Sequence, residues 1–442
     1  MPPRSRSHKK PLTIFALFPF LGLLIFGIFN YNLAPPEEFL NYENSNILLS
    51  LIRASFYFAA GVLFMVNLKK NSSWLIKRFE LVACIIFVLA SAAWTSHIDR
   101  LLIGSLHFVG GIIVAYIAAL YFTQHQHQQN PYHFLALMFG SFAIGSLIAS
   151  IAIPSFGTQY FEWEEVTRWR GLTTNANTLG LASLLAIWSS AAAYLTSDNK
   201  KLNILYITFI VSACINLWGS DSKTSLIVSL LSVSIIIIVN ILASGSSTSK
   251  QKKFIYFTYA IVVASIFISL FFADKITPDQ MAQSIGRSSD LSGRDTLWED
   301  AIKTFSVHPI VGWSFDGRAS AYDYIPQQVT HYHNGFLDLA VRGGIVGLIL
   351  FLVFILKHLR NLIKLTNTNT RYYGPMLAIL MGFLVHNMTE VSLASFDNIF
   401  WVLILFTYFI AERALRQQRI ERLRHRKHKR AKVHHITSRI ST

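Results

Sequence analysis

Charged side chains make up only 14% of this 442-residue chain, against 52% hydrophobic residues. That scarcity excludes an ordinary soluble globule, whose surface needs more polar cover. Cysteine is nearly absent: Cys84 and Cys214 both lie inside apolar runs, which rules out a disulfide framework and a cysteine-based metal site. The first apolar run follows "RSRSHKK" and is succeeded by Pro35 and Pro36 with no small-residue cleavage site, so it reads as an uncleaved signal anchor. No repeat recurs at a fixed period, and no matched pair of Gly- or Pro-broken spans suggests an inverted-repeat transporter. Short alternating segments of the outer-membrane barrel kind are also missing.

What remains is a series of apolar stretches of about 20 residues, each long enough to cross roughly 30 Å of hydrocarbon as a helix. A helix satisfies its own backbone donors in lipid, so the chain reads as an all-α polytopic membrane protein with about twelve transmembrane helices. The spans fall near residues 11–34, 46–67, 79–96, 101–122, 133–154, 177–195, 202–218, 224–243, 254–273, 337–356, 373–389 and 398–412. The organisation is then a cytoplasmic tail (1–10), spans one to nine (11–272), a large helical periplasmic loop (273–336), spans ten to twelve (337–412) and a basic cytoplasmic tail (413–442).

The net charge of +16 would suit a nucleic-acid binder if it were spread over one folded face, but it is not. Basic residues cluster at 4–10, 69–78, 200–201, 250–253, 357–364 and 413–439, which are alternate loops of a chain that crosses every time. The positive-inside rule therefore puts both ends in the cytoplasm. The tail "RLRHRKHKRAKVHH" is explained by attraction to anionic membrane lipids, about 1 kcal/mol per basic residue. No folded reader motif accompanies it, so nucleic acid is not expected as a partner.

The opposite face carries polar residues beyond what anchoring needs. In the long loop before the tenth span, "SGRDTLWEDAIKTF" has Ser292 as a candidate N-cap and Leu297, Trp298, Ala301, Ile302 and Phe305 along one face, which predicts an amphipathic helix. A second short helix is expected from Asn334 to a break at Gly343 and Gly344. Its positive end would carry His331, His333 and Asn334, and such an end favours an anion. Arg168, Arg170, Asn175, Asn177, Lys223 and Arg294 belong to the same side, as do His386, Asn387 and Glu390 at the end of the eleventh span.

Singly, each has an ordinary explanation: arginines beside Trp163 and Trp169 suit a membrane interface, and an isolated histidine is more often a capping or hydrogen-bonded group. Arg53 lies inside the second span, about 10 Å below the outer surface at roughly 1.5 Å per residue. It must either snorkel outward or face a polar partner or cavity. Together the residues suit one chemistry. Arginine offers a permanently charged planar fork for phosphate oxygens, and histidine accepts a proton near neutral pH. A lipid diphosphate could then leave against the arginines while the histidine takes the proton of an attacking hydroxyl. The sequence shows no outer-side cluster with metal-ligand spacing, so neither metal nor cofactor is expected. A transporter of lipid-linked glycans is the competing class, but it would set its charges along a central cavity rather than at one face.

The ordered set "RGLTTNANTLG", "SDSKTSL", "SGRDTLWEDAIKTFSVHPIVGWSFDG", "HNGFLDLAVRGGIVGLILF" and "HNMTEVSLASFDNIFW" resembles the O-antigen ligase and polymerase superfamily, over the region from Arg170 to the last span. That resemblance implies a membrane glycosyltransferase of the GT-C class, in the bacterial inner membrane with its site facing the periplasm. It implies an undecaprenyl-diphosphate-linked glycan as donor, and lipid A core or a second lipid-linked glycan as acceptor, with inversion at the anomeric carbon. By position, Arg170 and Arg294 would contact the diphosphate and His333 would activate the acceptor hydroxyl. Asn177 matches the asparagine that usually closes the first motif. Lys223 stands where the family commonly has arginine, and His331 precedes the matching histidine by two residues.

Overall fold

The structure is a computed structural model that describes residues 13–27, 47–66, 68–124, 130–161, 166–244, 294–324 and 331–440. The expected ninth span (254–273), the candidate cap Ser292 and most of the long outer loop lie outside these residues. The helices are α1 (Phe18–Phe26), α2 (Ile47–Met65), α3 (Leu68–Ile76), α4 (Phe79–Ala90), α5 (Ile98–Gln124), α6 (Pro131–Ala152), α7 (Ala176–Thr196), α8 (Lys200–Ser220), α9 (Lys223–Ser244), α10 (Arg294–Val307), α11 (Gly335–Thr366), α12 (Thr370–His386) and α13 (Ile399–Ile440). Among the described residues, six of them (α5 to α9 and α11) are long and apolar enough to cross a membrane.

Composition explains why these helices associate sideways. On α8, Ile204, Ile207, Val211 and Ile215 point outward at helical spacing, and on α9 Leu226, Ile227, Leu230, Ile237 and Ile241 do the same. An apolar belt of that size would be a liability in water and is the natural surface in lipid. Inside, aromatic and small residues interlock. Phe108 stacks on Phe396 at 4.2 Å between ring centres, and Phe315 stacks on both Phe351 and Phe396.

Two features go beyond the sequence reading. The loop after α6 is not irregular: β1 (Thr158–Phe161) pairs antiparallel with β2 (Val166–Trp169), with Gln159 opposite Arg168 and Thr158 opposite Trp169. The Thr, Tyr, Phe, Val and Trp content of those two short stretches favours strand, and the hairpin carries Arg168 toward the bundle. In the basic C-terminal segment α13 continues as helix to Ile440.

The expected break at the glycine pair is present. Gly344 adopts φ 59 and ψ −165 inside α11. The segment after α10 fills the break: Ile345 N donates to Pro309 O at 2.9 Å, Val346 N to Ile310 O at 3.1 Å, and Trp313 N to Val341 O at 3.0 Å. Backbone groups freed by the kink are thus satisfied inside the protein, as a span requires. A β-carbon on Gly344 would sit 2.3 Å from Ile310 O, so both conformation and space demand glycine. This splice fixes α10 against the start of α11.

The other end of the bundle is closed by a compensated charge group. Arg78 meets Glu412 at 2.7 Å, Lys357 meets Glu80 at 2.7 Å and Glu412 at 3.8 Å, and Asn361 donates to Glu412 at 2.6 Å. Tyr408 donates to Glu80. Two acids and two bases, from the start of α4 (Arg78 and Glu80) and from within α11 (Lys357) and α13 (Glu412), cancel, which is what permits their burial.

Candidate functional site

The residues between His331 and Gly335 form a tight turn that opens α11. Asn334 is its N-cap: the side-chain oxygen accepts from Phe336 N at 3.0 Å and Leu337 N at 3.1 Å, satisfying two of the donors a helix start leaves orphaned. His333, just before it, has φ 49, a left-handed conformation uncommon outside glycine. His331 sets its ring edge-on to that of His333, 4.0 Å between centres.

Two neighbouring segments clamp this turn. From α10, Trp298 Nε1 donates to Tyr332 O at 3.0 Å. From the loop after α12, Asn387 O and Glu390 O both accept from Gly335 N, at 2.8 and 3.1 Å. Asn387 braces that loop in turn, its side-chain oxygen accepting from Ser392 N and Leu393 N and its amide donating to Phe383 O. Gly335 has to be glycine for this approach, since a β-carbon would lie 2.2 Å from Asn387 Oδ1.

Glu390 is the centre of the group. Its Oε1 accepts from Arg294 Nη2 at 3.3 Å and from Asn177 Nδ2 at 3.4 Å, and its Oε2 lies 3.6 Å from His333 Nδ1. Burial would raise this carboxyl, but His333 beside it, then His386 and Arg294, outweigh burial and hold it down at about 2. It is therefore ionised throughout the range in which the protein works. His331 moves the other way for a base: burial first, then the neighbouring His333, hold it down at about 4.

The sequence candidates sort as follows. Asn177, Arg294, His331, His333, Asn334 and Glu390 come together in one constellation, although α7, α10, α11 and the loop after α12 supply them separately. Arg168 joins it, donating from Nη2 to Asn177 Oδ1 at 3.0 Å while its Nε donates to Ser220 O at 2.8 Å. Arg170 is buried at 2% exposure; its Nε donates to Phe156 O at 2.7 Å, and its guanidinium lies over the Phe156 ring. Lys223 pairs with Asp221 at 2.7 Å on the exposed rim, near the constellation through Thr224, which hydrogen-bonds Thr389 at 2.8 Å. His386 is buried below, 3.4 Å from Ser392 Oγ and edge-on to Phe400. Arg53 belongs to a different polar group: it reaches Asp397 at 3.4 Å and Phe26 O at 3.4 Å, one helical turn from the Tyr57–His107 hydrogen bond.

The sequence pass did not single out Asp338, which sits fully buried one turn into α11 between Arg318 at 2.6 Å and Arg342 at 3.1 Å. The i,i+4 spacing of Asp338 and Arg342 at the edge of an apolar run was the available signal. The sequence shows no cluster with metal-ligand spacing, but the fold brings three possible ligands together. His331, His333 and Glu390 offer three ligand atoms within 4.8 Å of one another. No sequence spacing announced it, because Glu390 belongs to a different loop. The guanidinium of Arg294 on the same carboxylate works against a cation there. The arrangement is better matched to an anion approaching Arg294 and to proton transfer at His333.

Compared with known proteins, residues 207–352 match the O-antigen ligase family model. That region includes Lys223, Arg294, His331, His333 and Asn334, and it stops short of Glu390 on one side and Asn177 on the other. A stretch of 221 residues is 24% identical to the exopolysaccharide production protein ExoQ of Rhizobium meliloti (strain 1021). The match covers 47% of this chain and 49% of that protein, so the chain spans about half the length of the curated relative. Both matches support the O-antigen ligase and polymerase superfamily that the order of motifs resembles.

Proposed function

From that superfamily likeness and the geometry around Glu390, we infer that this protein is an inner-membrane glycosyltransferase. It transfers a glycan from undecaprenyl diphosphate to an acceptor hydroxyl on the periplasmic side, as an O-antigen ligase acting on lipid A core. The observation that carries the reading is that a phosphate-binding fork, Arg294, and a proton acceptor, His333, lie on the two oxygens of one carboxylate. A displacement reaction needs those two groups within one substrate's width.

In the reaction, a lone pair of the acceptor hydroxyl forms the new bond to the anomeric carbon from the face opposite the diphosphate. The bond from that carbon to the diphosphate oxygen breaks, and its electron pair leaves with the diphosphate. The hydroxyl proton passes to His333. Arg294 stabilises the departing charge, with Lys223 at the rim as a second cation for the lipid diphosphate; Arg170, held on Phe156, and Arg53, paired with Asp397, stand apart from it. Asn177 and Asn334 hold Glu390 and the His333 turn in place. The step needs no metal. The topology that serves it has about twelve spans and both chain ends in the cytoplasm.

A polymerase that joins lipid-linked repeats is the second reading, favoured by the relative named for exopolysaccharide production. The glycan profile of a deletion strain separates the two. A ligase leaves full-length polymer stranded on its lipid carrier, whereas a polymerase leaves single repeats. An unchanged glycan profile would remove both.

A further inference from the structure

A histidine base is useful only if the nitrogen facing the substrate is unprotonated and the other carries the proton. Several features of the turn bear on that requirement. His333 is held at φ 49, a conformation that persists where its surroundings over-determine it. Those surroundings include Glu390 twice over: its backbone oxygen accepts from Gly335 N, and its side chain faces the His333 ring. Arg294 and Asn177 fix one carboxylate oxygen and leave the other 3.6 Å from Nδ1. That separation is slightly long for a hydrogen bond, as catalytic pairs often are before substrate closes the site.

We propose that Glu390 is the positioning residue of this site: its Oε2 takes the Nδ1 proton of His333, which turns an unprotonated Nε2 toward the acceptor hydroxyl. The inference rests on the reading of His333 as the base. When Nε2 receives the hydroxyl proton, the imidazolium that forms sits beside an anion already in place. No rearrangement is then needed to neutralise it. Glu390 touches neither substrate. Its backbone oxygen keeps the turn, and its carboxylate keeps the tautomer.

The test uses the full-length protein in nanodiscs. Membranes of the deletion strain supply both the untransferred lipid-linked glycan and the bare acceptor. Glu390→Gln preserves shape and removes the charge, and it is expected to lower kcat by at least tenfold, roughly a hundredfold, with the donor KM within about twofold of wild type. Combined with His333→Ala, it is expected to slow the reaction no further than His333→Ala alone, because both changes disable one device. Glu390→Asp, which keeps the charge on a shorter arm, is expected to recover part of kcat. It carries the same comparison with His333→Ala should the Gln variant fail to accumulate.

A wild-type kcat in Glu390→Gln overturns the inference. So does a raised donor KM at unchanged kcat, or a double variant slower than His333→Ala by the full factor of Glu390→Gln. If His333→Ala is inactive while Glu390→Gln is normal, only the positioning role falls. If His333→Ala is itself active, the base assignment falls with it.

Discussion

In the proposed reaction, Arg294 acts through a shape as well as a charge. Its guanidinium reaches Glu390 Oε1 from the start of α10, and the same fork suits two phosphate oxygens at once, which an ammonium cannot reproduce. Arg294→Lys is therefore expected to reduce transfer roughly ten- to hundredfold while the protein still accumulates in the membrane. Full activity in quantified glycan transfer would make the position structural. His331 makes a pH prediction. Held down at about 4 against an ordinary 6.5, it binds its proton more readily in the unfolded chain. Its contribution thus favours the fold above about 6.5 and is lost as pH falls toward 4. Glu390, held at about 2, has the same sign in a lower window: its contribution is present above the ordinary carboxyl value of about 4.3 and is lost only below that. Thermal unfolding in detergent between pH 6.5 and 4.5 therefore excludes Glu390, and the difference between wild type and a His331 variant isolates His331 from the other buried histidines. The His331→Asn variant is expected to lose less stability over that interval than wild type, and equal slopes would remove His331 as the cause.

Among the elements, α11 connects the two ends of the molecule. Its first turn carries the Asn334 cap, its kink receives the segment after α10, and Lys357 in its later half reaches the group of Arg78, Glu80 and Glu412. Glu412→Ala would leave Arg78 buried without its carboxylate partner and deprive Lys357 of one of two. Breaking a buried pair by deleting one partner costs about 3–5 kcal/mol, so the melting temperature in detergent is expected to fall clearly. Transfer per folded molecule at low temperature is expected to stay near wild type, because the far end of α11 is roughly 30 Å from His333 at 1.5 Å per residue. A variant that keeps its melting temperature would show the pair to be idle. The sequence made these elements legible because apolar length and terminal chemistry are local properties. Asn334 as a cap and Gly343–Gly344 as a break could be placed from neighbouring residues alone. The hairpin at Thr158–Trp169 could not, since a pair of four-residue strands has too little periodicity to rise above loop composition.

At the scale of the whole molecule, the site and the compensated charge group occupy opposite ends of the bundle, and among the described residues the basic segments at 69–78, 200–201 and 357–364 lie with the latter. Single cysteines placed at the exposed positions Thr174 and Gln417 in a background without Cys84 and Cys214 test this orientation. An impermeant maleimide applied to cells with a permeabilised outer membrane is expected to label the first. It is expected to reach the second only after the inner membrane is opened. Labelling of both from the same side would invert the topology on which the periplasmic reaction depends.

What the sequence by itself determined is the solvent and the helical class, and it supplied the candidate residues of the site. Hydrophobic run length selects lipid, lipid demands helices, and the order of the motifs brought Arg294 and His333 into view. Which of the cationic residues shares a carboxylate with the histidine was decided only in three dimensions. Asn177, Arg294, His333 and Glu390 lie on separate elements, and their meeting depends on the kink at Gly344 and the close approach of Asn387 to Gly335. Arg168 and Arg170, two residues apart on one hairpin arm, illustrate the limit. Side chains two apart on a strand share a face, but β2 ends at Trp169 and the chain turns at Gly171 with φ 55, so Arg168 reaches Asn177 while Arg170 reaches Phe156 O.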